Sequence, residues 1–224
     1  MTLHVGMLVF PNVTQLDLTG PFEVMHRLPD AEVHLVARDT APVRAQGGLT
    51  FVPSTSLDAC PKLDVVFVPG GFGVRELMTD PSVIAFLRAH AATARYVTSV
   101  CTGSLVLGVA GLLDGYAATT HWAYVELLPM FGARPVGERV VIDRNRITAG
   151  GVTSGIDFGL AIAAEIAGEP FAKGIQLGLE YDPSPPFRCG HPKVADPEIL
   201  AAVRARFAQP VEAQRATIAA AMRR

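Results

Sequence analysis

The chain has 224 residues, half of them hydrophobic, and a formal net charge of −2 at pH 7. This length suits one α/β domain with a large core, and the balanced charge excludes both a basic nucleic-acid-binding surface and an acidic tail. No apolar run approaches the roughly eighteen residues that span a bilayer, so no membrane partner is expected.

The N-terminal residues and the cysteines indicate a cytoplasmic protein. Residues 1–10 lack the basic start and the long apolar core of a signal peptide, and they are interpreted as the first strand. The cysteines Cys60, Cys101 and Cys189 are too few and too scattered for a disulfide framework. A reducing cytoplasm fits this pattern best.

The chain opens with a buried strand followed by a helix. Residues 5–10 form a continuous apolar run, which is typical of a parallel strand buried on both faces. Thr19 is expected to cap the helix, with Pro21 early in it, so Asp17 is placed in the preceding loop. Ligand sites of open α/β sheets form at this edge, where the carboxyl ends of the strands lie.

The next predicted strands end in turns. A strand at 31–37 is followed by a hairpin turning at Gly47-Gly48, and the apolar run from Asp64 ends in a glycine-rich turn. In that turn, Gly70 and Gly71 let backbone N–H groups approach a ligand, because no Cβ intervenes. The remaining expected elements are a hairpin around Arg144-Asn145, helices at 81–94, 119–130, 156–167 and 168–181, and two tail helices separated near Pro210.

The chain is organised around the run from Tyr96 to Gly111, in which a β-branched segment passes directly into a small-residue helix at Cys101. A sharp strand-to-helix turn exposes its pivot side chain and directs free N–H groups at it. Positive potential at a helix N-terminus favours the thiolate, so the pKa of Cys101 is expected below about 8.5. This nucleophile elbow predicts a catalytic cysteine; the alternative is a small buried hydrophobe, as most free cysteines are.

Three loops are expected to meet at the carboxyl edge of the sheet: those bearing Asp17, Gly70-Gly71 and Cys101-Thr102. A carboxyl beside a thiol exchanges protons with it, and its pKa rises in a closed pocket. The N–H groups of Gly71 and Thr102 are predicted to stabilise a developing negative charge. The alternative for Asp17 is a solvated carboxylate that caps the following helix.

The sequence lacks the residue patterns of a Cys-His-Glu triad, a metal site and a nucleotide-binding loop. None of the six histidines is followed two residues later by glutamate, so a Cys-His-Glu triad has no obvious source. His121 and His191 are candidates to approach the site, but capping or packing histidines are commoner. No His/Cys/Asp cluster has ligand spacing, and no phosphate-binding or dinucleotide motif is complete, so neither a metal nor a cofactor is predicted.

Strands that alternate with helices predict a three-layer α/β sandwich with a mainly parallel, flavodoxin-like sheet. Residues 1–224 are expected to form one domain. The Pro-rich loop and helices of residues 181–224 are too short for an independent unit and are expected to pack on it.

Three motifs together resemble the ThiJ/PfpI superfamily, which is similar to the class I glutamine amidotransferases. They are Val-Pro-Gly-Gly ending at Gly71, Ser-Val-Cys-Thr-Gly-Ser ending at Ser104, and Thr-Ala-Gly-Gly-Val-Thr-Ser-Gly-Ile-Asp ending at Asp157. The likeness runs from Leu3 to about Leu179. Within the group, Gln-Leu-Asp-Leu-Thr-Gly-Pro ending at Pro21, together with Cys-Thr-Gly, looks most like the isocyanide hydratases.

The resemblance implies the cofactor-independent addition of water to an isocyanide, giving an N-substituted formamide. Cys101 is then the nucleophile that forms a covalent thioimidate, and Asp17 donates and accepts protons. Thr102 is expected to hydrogen-bond Asp17 or the thiolate, and Gly70, Gly71 and Gly150 to border the substrate. The resemblance also implies a homodimer.

Two departures from other branches argue against peptidase and glyoxalase-like roles. Asp17 stands where the branch of the Parkinson-disease protein has glutamate, and Thr102 stands where the protease branch has histidine. The alternatives left open are a redox sensor oxidised at Cys101 and an enzyme acting on another small electrophile. Sensory domains of arabinose-regulator-type transcription factors carry similar glycine motifs, but the tail helices here have no basic recognition face, so no nucleic-acid partner is expected.

Overall fold

The computed structural model describes residues 2–223 and has a seven-stranded sheet at its centre. The strands lie in the order β10-β11-β7-β6-β1-β2-β5, and all neighbours are parallel except the antiparallel pair β10–β11. Their bounds are β1 Leu3–Leu8, β2 Ala31–Ala37, β5 Thr55–Ser56, β6 Val65–Val68, β7 Tyr96–Val100, β10 Val140–Asp143 and β11 Arg146–Ala149.

Two apolar layers cover the two faces of this sheet with helices. One face carries α1, α5 and α6, whose buried side chains pack on Val5, Met7 and Phe67. The other face carries α2, α3, α4 and α7. The bounds are α1 Gln15–Met25, α2 Val74–Thr79, α3 Pro81–Ala91, α4 Gly103–Val109, α5 Ser154–Ala167, α6 Glu169–Gly178 and α7 Pro197–Ala221. The predicted three-layer sandwich with a mainly parallel sheet is confirmed.

Short pairs of strands lie outside the main sheet. The hairpin β3 (Val43–Arg44) and β4 (Thr50–Phe51) turns through Gly47 at φ 81°, as predicted. Two-residue strands β8 (Ala117–Ala118) and β9 (Arg134–Pro135) flank the segment Trp122–Phe131, which is a 3₁₀ helix rather than the expected α-helix.

The start of α1 differs from the prediction. The helix begins at Gln15 after an extended Thr14, so Asp17 lies in its first turn and not in the preceding loop. Thr19 is an internal helical residue whose hydroxyl donates to the Gln15 carbonyl oxygen at 3.0 Å, and so it is not the N-cap. This is the bond that threonine hydroxyls commonly make inside a helix, to the carbonyl oxygen four residues earlier.

The C-terminal segment forms one helix instead of two. In α7 the Asp196 side chain caps the first turn by accepting the Glu198 N–H at 2.9 Å, and Pro210 lies inside the helix. A proline in a helix removes one backbone hydrogen bond, and packing can offset that loss. Here α7 packs against α2 and the 3₁₀ segment, which is consistent with the proposal of a single domain.

No helix in the described part of the chain combines the length and the apolar character needed to cross a bilayer.

Candidate active site

Cys101 lies between β7 and α4 in a left-handed backbone conformation with φ 55°. Non-glycine residues persist there only where neighbours hold them. The Cys101 N–H is shared between the carbonyl oxygens of Ala149 at 3.0 Å and Gly150 at 2.8 Å. Its carbonyl oxygen accepts the hydroxyl protons of Thr120 at 2.8 Å and Ser104 at 3.2 Å. These four hydrogen bonds fix the elbow that the sequence predicts.

Asp17 is fully buried beside this elbow. Its Oδ2 atom accepts the Gly70 N–H at 3.0 Å, whereas Oδ1 has no conventional hydrogen-bond partner among residues 2–223. Burial raises the pKa of Asp17 from 3.8 to about 7, although interactions with the Cys101 side chain and the Gly70 N–H oppose the rise. The carboxyl and the thiol are therefore neighbours, and near neutral pH Asp17 titrates between acid and base.

The pKa of Cys101 shifts in the direction opposite to the prediction. Its side chain is only 6% exposed, and burial raises the pKa of the thiol well above its ordinary value. The charge of Asp17 acts in the same direction, while the Thr102 N–H and hydroxyl oppose it. Desolvation outweighs the field of the short helix because the sulfur loses nearly all its water. Burial therefore favours the neutral thiol over the thiolate.

The glycine-rich turn at Gly70-Gly71 forms hydrogen bonds to both Asp17 and Thr102. The Gly71 N–H donates to Thr102 Oγ1 at 3.1 Å, and the Gly70 N–H is occupied by Asp17. The Gly71 N–H thus has a partner in the ligand-free protein, and its role toward a developing anion stays a prediction. A Cβ on Gly70 would lie 2.6 Å from Asp17 Oδ2 and 2.8 Å from Cys101 Cβ, so this position requires glycine.

Gly150 supports the elbow through its backbone. Its carbonyl oxygen accepts the Cys101 N–H, and its own N–H donates to the Arg139 carbonyl oxygen at 2.9 Å. The residue precedes α5, which begins at Ser154. Its position agrees with the expected place at the site, and its hydrogen bonds indicate that it orients Cys101.

A cavity of about 550 Å³ opens beside the elbow. Two of its lining residues, Thr120 and Gly150, are the ones that hold the Cys101 backbone, and Trp122 and Val152 add apolar wall. Burial lowers the pKa of His121 to about 4, so this lining imidazole is neutral. Cys101 and Asp17 do not line this cavity themselves, and its wall also carries the charged residues Glu138, Arg139 and Lys193. The cavity thus borders the residues that hold the Cys101 backbone.

The two histidines that the sequence left open each accept a nearby backbone N–H, His121 as the cap of the 3₁₀ segment and His191 within a turn. His121 Nδ1 accepts the Ala123 N–H at 3.3 Å, and His191 Nδ1 accepts the Lys193 N–H at 3.1 Å. Both side chains border the cavity. Thr120 was not among the predicted site residues, because its only signal was its position in a threonine pair that opens a predicted helix.

Comparison with known protein families supports the resemblance that the sequence motifs indicate. The sequence model of the DJ-1/PfpI family matches residues 4–165. The chain belongs to the DJ-1/PfpI family. This confirms the resemblance to the ThiJ/PfpI superfamily inferred from the glycine and cysteine motifs.

Two relatives of this DJ-1/PfpI protein have curated names. An isonitrile hydratase of Pseudomonas putida is 55% identical over 208 residues, covering 93% of this chain and 91% of that enzyme. The HTH-type transcriptional regulator GbdR of Pseudomonas aeruginosa is 32% identical over 186 residues, which cover 80% of this chain and only 50% of the regulator. The similarity therefore extends over nearly the whole enzyme but only half of the regulator.

A crystal structure of a ThiJ/PfpI family protein from Pseudomonas syringae has the same architecture. It superimposes with a TM-score of 0.95 at 42% identity, covering 97% of this chain and 91% of that one. The match includes the C-terminal region beyond the family segment.

Proposed function

We propose that this protein adds water to isocyanides and releases N-substituted formamides, with Cys101 as the nucleophile and no cofactor. The observation that carries the proposal is that a fully buried Asp17 and the strained Cys101 meet at Gly70, where an added Cβ would lie 2.6 Å from Asp17 Oδ2 and 2.8 Å from Cys101 Cβ. The similarity to the isonitrile hydratase over most of both chains supports the same reaction.

The first step joins sulfur to carbon. Asp17, as carboxylate, accepts the proton of the Cys101 thiol while the sulfur attacks the terminal carbon of R–N≡C. The same proton then passes from Asp17 to that carbon. The product is a thioimidate, R–N=CH–S–Cys101, in which the S–H bond has been exchanged for one C–S and one C–H bond.

The second step consumes water. The Asp17 carboxylate takes a proton from a water molecule as its oxygen attacks the thioimidate carbon, and the nitrogen receives that proton. The C–S bond of R–NH–CH(OH)–S–Cys101 then breaks. The hydroxyl proton returns through Asp17 to the sulfur, so the formamide leaves and the thiol is restored.

Thr102 positions the reacting groups in this scheme. Its hydroxyl accepts the Gly71 N–H, and its N–H and hydroxyl both favour negative charge on the Cys101 sulfur. These groups stabilise sulfur as it loses its proton during attack and when it is expelled from the adduct.

A small aryl isocyanide tests the proposal directly. We expect its disappearance and formation of the formamide with the wild-type protein, loss of both with Cys101→Ala, and wild-type turnover with Cys60→Ala as the matched control. Mass spectrometry of quenched enzyme should find the substrate adduct on Cys101. Wild-type turnover by Cys101→Ala would refute the mechanism.

The redox-sensor alternative is weaker on this geometry. Thiolates are the species that oxidants attack, and burial raises the pKa of Cys101, which disfavours the thiolate in the resting protein. Assays against methylglyoxal and a peptide distinguish the other small-electrophile chemistry. A homodimeric state and a cytoplasmic location remain predictions, for which light scattering and cell fractionation are the tests.

A further inference from the structure

A cluster of two histidines and a glutamate lies at the edge of the sheet opposite to Cys101. His4 on β1 and Glu32 and His34 on β2 each direct one potential ligand atom to a common point, and all three atoms lie within 4.8 Å of one another. Val5 pairs with Val65, and Val65 pairs with Tyr96, so these three residues lie at the same level of the sheet. His4 lies one residue before this level, and Cys101 lies five residues after it. At about 3.3 Å per residue, the cluster is roughly 20 Å from Cys101 along the strands.

We propose that His4, Glu32 and His34 bind a divalent transition-metal ion of the zinc class. Two imidazole nitrogens and a carboxylate oxygen are a donor set that such ions accept, with a water molecule completing four-coordination. The sequence did not predict a metal site because His4 is far from the other two residues in the chain. The parallel pairing of β1 with β2 brings them together.

The sheet register explains why the three side chains converge. His4 pairs with Glu32, and Gly6 pairs with His34, so all four residues share one face of the sheet. Gly6 has no side chain, and the Leu63 side chain occupies the space where its Cβ would point, at 2.3 Å. No β1 side chain therefore stands directly opposite His34, and its ring stacks on that of His4 with centroids 5.3 Å apart.

The distances between donor atoms bracket those of a tetrahedral site. His4 Nδ1 lies 3.0 Å from His34 Nε2 and 3.7 Å from Glu32 Oε2, and His34 Nε2 lies 3.9 Å from Glu32 Oε1. Ligands about 2.0–2.1 Å from zinc at tetrahedral angles are about 3.3 Å apart. The two carboxylate distances belong to different oxygens of Glu32, so this exposed side chain must rotate to present one oxygen to both imidazoles. The two histidine nitrogens need to part by only about 0.3 Å.

The cluster is partly preorganised and open to solvent on one side. The side chain of His34 is 11% exposed and that of His4 30%, whereas Glu32 is 60% exposed and completes the site from the surface. The backbone at His4 is anchored because its N–H donates to Asp64 Oδ2 at 2.9 Å. An ion thus has an entry path and meets two imidazoles whose strands are fixed.

Binding requires only a choice of tautomer in the rings. Each imidazole directs a lone pair to the ion from the nitrogen facing the cluster, His4 Nδ1 or His34 Nε2, and carries its proton on the other nitrogen. Without the ion, one of the facing nitrogens must donate to the other at 3.0 Å. The ion replaces that one hydrogen bond by three coordinate bonds and ties β1 to β2.

Calorimetric titration of chelator-stripped protein with Zn²⁺ tests the site. We expect His4→Gln to weaken the binding about 100-fold or more, since loss even of supporting hydrogen bonds costs 10- to 100-fold at metal sites. His26→Gln, which changes an exposed histidine at the end of α1, should bind as the wild type does. Equal affinity of His4→Gln and wild type, or no binding by wild type at millimolar Zn²⁺, would overturn the proposal.

Two further measurements separate this site from metal binding at cysteines and from unfolding. Co²⁺ in the site should give visible bands of a tetrahedral nitrogen–oxygen complex without thiolate-to-cobalt absorption, and a thiolate band lost in Cys101→Ala would contradict it. Glu32→Gln changes a side chain that is 60% exposed, so it should fold as the wild type does. Zn²⁺ should raise the melting temperature of wild type and not of Glu32→Gln; an equal rise in both would refute the site.

Discussion

The Asp17 carboxyl and the Cys101 thiol interact across the carboxyl edge of the sheet, and burial raises the pKa of both. Two buried groups that both resist charge act as one titrating pair, so neither is assigned a fixed proton independently of the other. The proposed mechanism uses this property, because one proton moves from sulfur to Asp17 and on to substrate without entering bulk water.

Asp17→Asn should distinguish the role of Asp17 in proton transfer from its structural role as a hydrogen-bond acceptor. Asparagine can still accept the Gly70 N–H through its side-chain oxygen, but it cannot carry the proton between thiol and substrate. We expect isocyanide turnover to fall about 10²- to 10⁴-fold with the fold retained. Steady-state kinetics and circular dichroism check this. Wild-type turnover in the folded variant would remove Asp17 from the mechanism.

The pH profile of kcat/KM should report Asp17. Only its carboxylate accepts the thiol proton, and its pKa is raised to about 7. Activity is therefore expected to rise about tenfold per pH unit below pH 7 and to level off above it. Because the pKa of Cys101 is also raised, the thiol adds no second rise in this range. A profile that is flat between pH 5 and 9 would contradict the assignment.

The free energy of unfolding should also depend on the ionisation of Asp17, but it should fall over the pH range in which activity rises. Asp17 has a higher pKa folded, about 7, than its ordinary 3.8, so the native state holds the proton more tightly. This contribution is fully present below about pH 4 and is lost as pH rises through 7, on the order of 4 kcal/mol in all. Urea unfolding at several pH values measures it. Asp17→Asn should lack this decline, and an identical decline in the variant would assign it to other groups.

The sequence predicted the elbow and the sheet well because both depend on local patterns. The β-branched run before Cys101 and the small residues after it define a strand-to-helix turn within about ten residues. The apolar runs of β1 and β6 are equally local. Parallel connection rules then bring Asp17, Gly70 and Cys101 to one edge without further information.

Errors arose where tertiary packing decides the outcome. The pKa direction at Cys101 depends on burial, which the helix N-terminus alone does not reveal. The Thr120 hydroxyl reaches the Cys101 carbonyl from 19 residues away, and no sequence spacing predicts that contact. The sequence placed the start of α1 at Thr19, whereas the helix begins at Gln15 without a side-chain cap, so no capping residue marked its true start. Packing of α7 offsets the break expected at Pro210.

Gly70→Ala should disturb the site through sterics alone. The new Cβ would lie 2.6 Å from Asp17 Oδ2 and 2.7 Å from the Thr102 nitrogen, so one of these must move. Overpacking of this kind costs about 1–3 kcal/mol, and misplacing reacting groups by about 1 Å lowers rates about 100-fold.

Gly174→Ala is the matched control for that variant. Nothing lies within 4 Å of the Cβ it adds on the exposed face of α6, so it should leave activity unchanged and stabilise by about 1 kcal/mol. Chemical unfolding and turnover are measured for both variants. Full activity in Gly70→Ala would mean that the backbone at Gly70 is not needed to hold Asp17.

Thr120→Val tests whether the carbonyl of the strained residue must be held. Valine keeps the shape of threonine but removes the hydroxyl that donates to the Cys101 carbonyl oxygen at 2.8 Å, leaving only the Ser104 hydroxyl at 3.2 Å. We expect a loss of about 1–3 kcal/mol in the free energy of unfolding, because a buried acceptor loses its better donor. The same change should lower kcat more than it raises KM, since the elbow relaxes while the cavity keeps its shape.

Thr119→Val is the control, because the hydrogen bond of Thr119 to Thr148 uses its backbone N–H. If both variants lose activity equally, the loss is caused by a change in the cavity wall and not by the missing hydrogen bond to the Cys101 carbonyl oxygen.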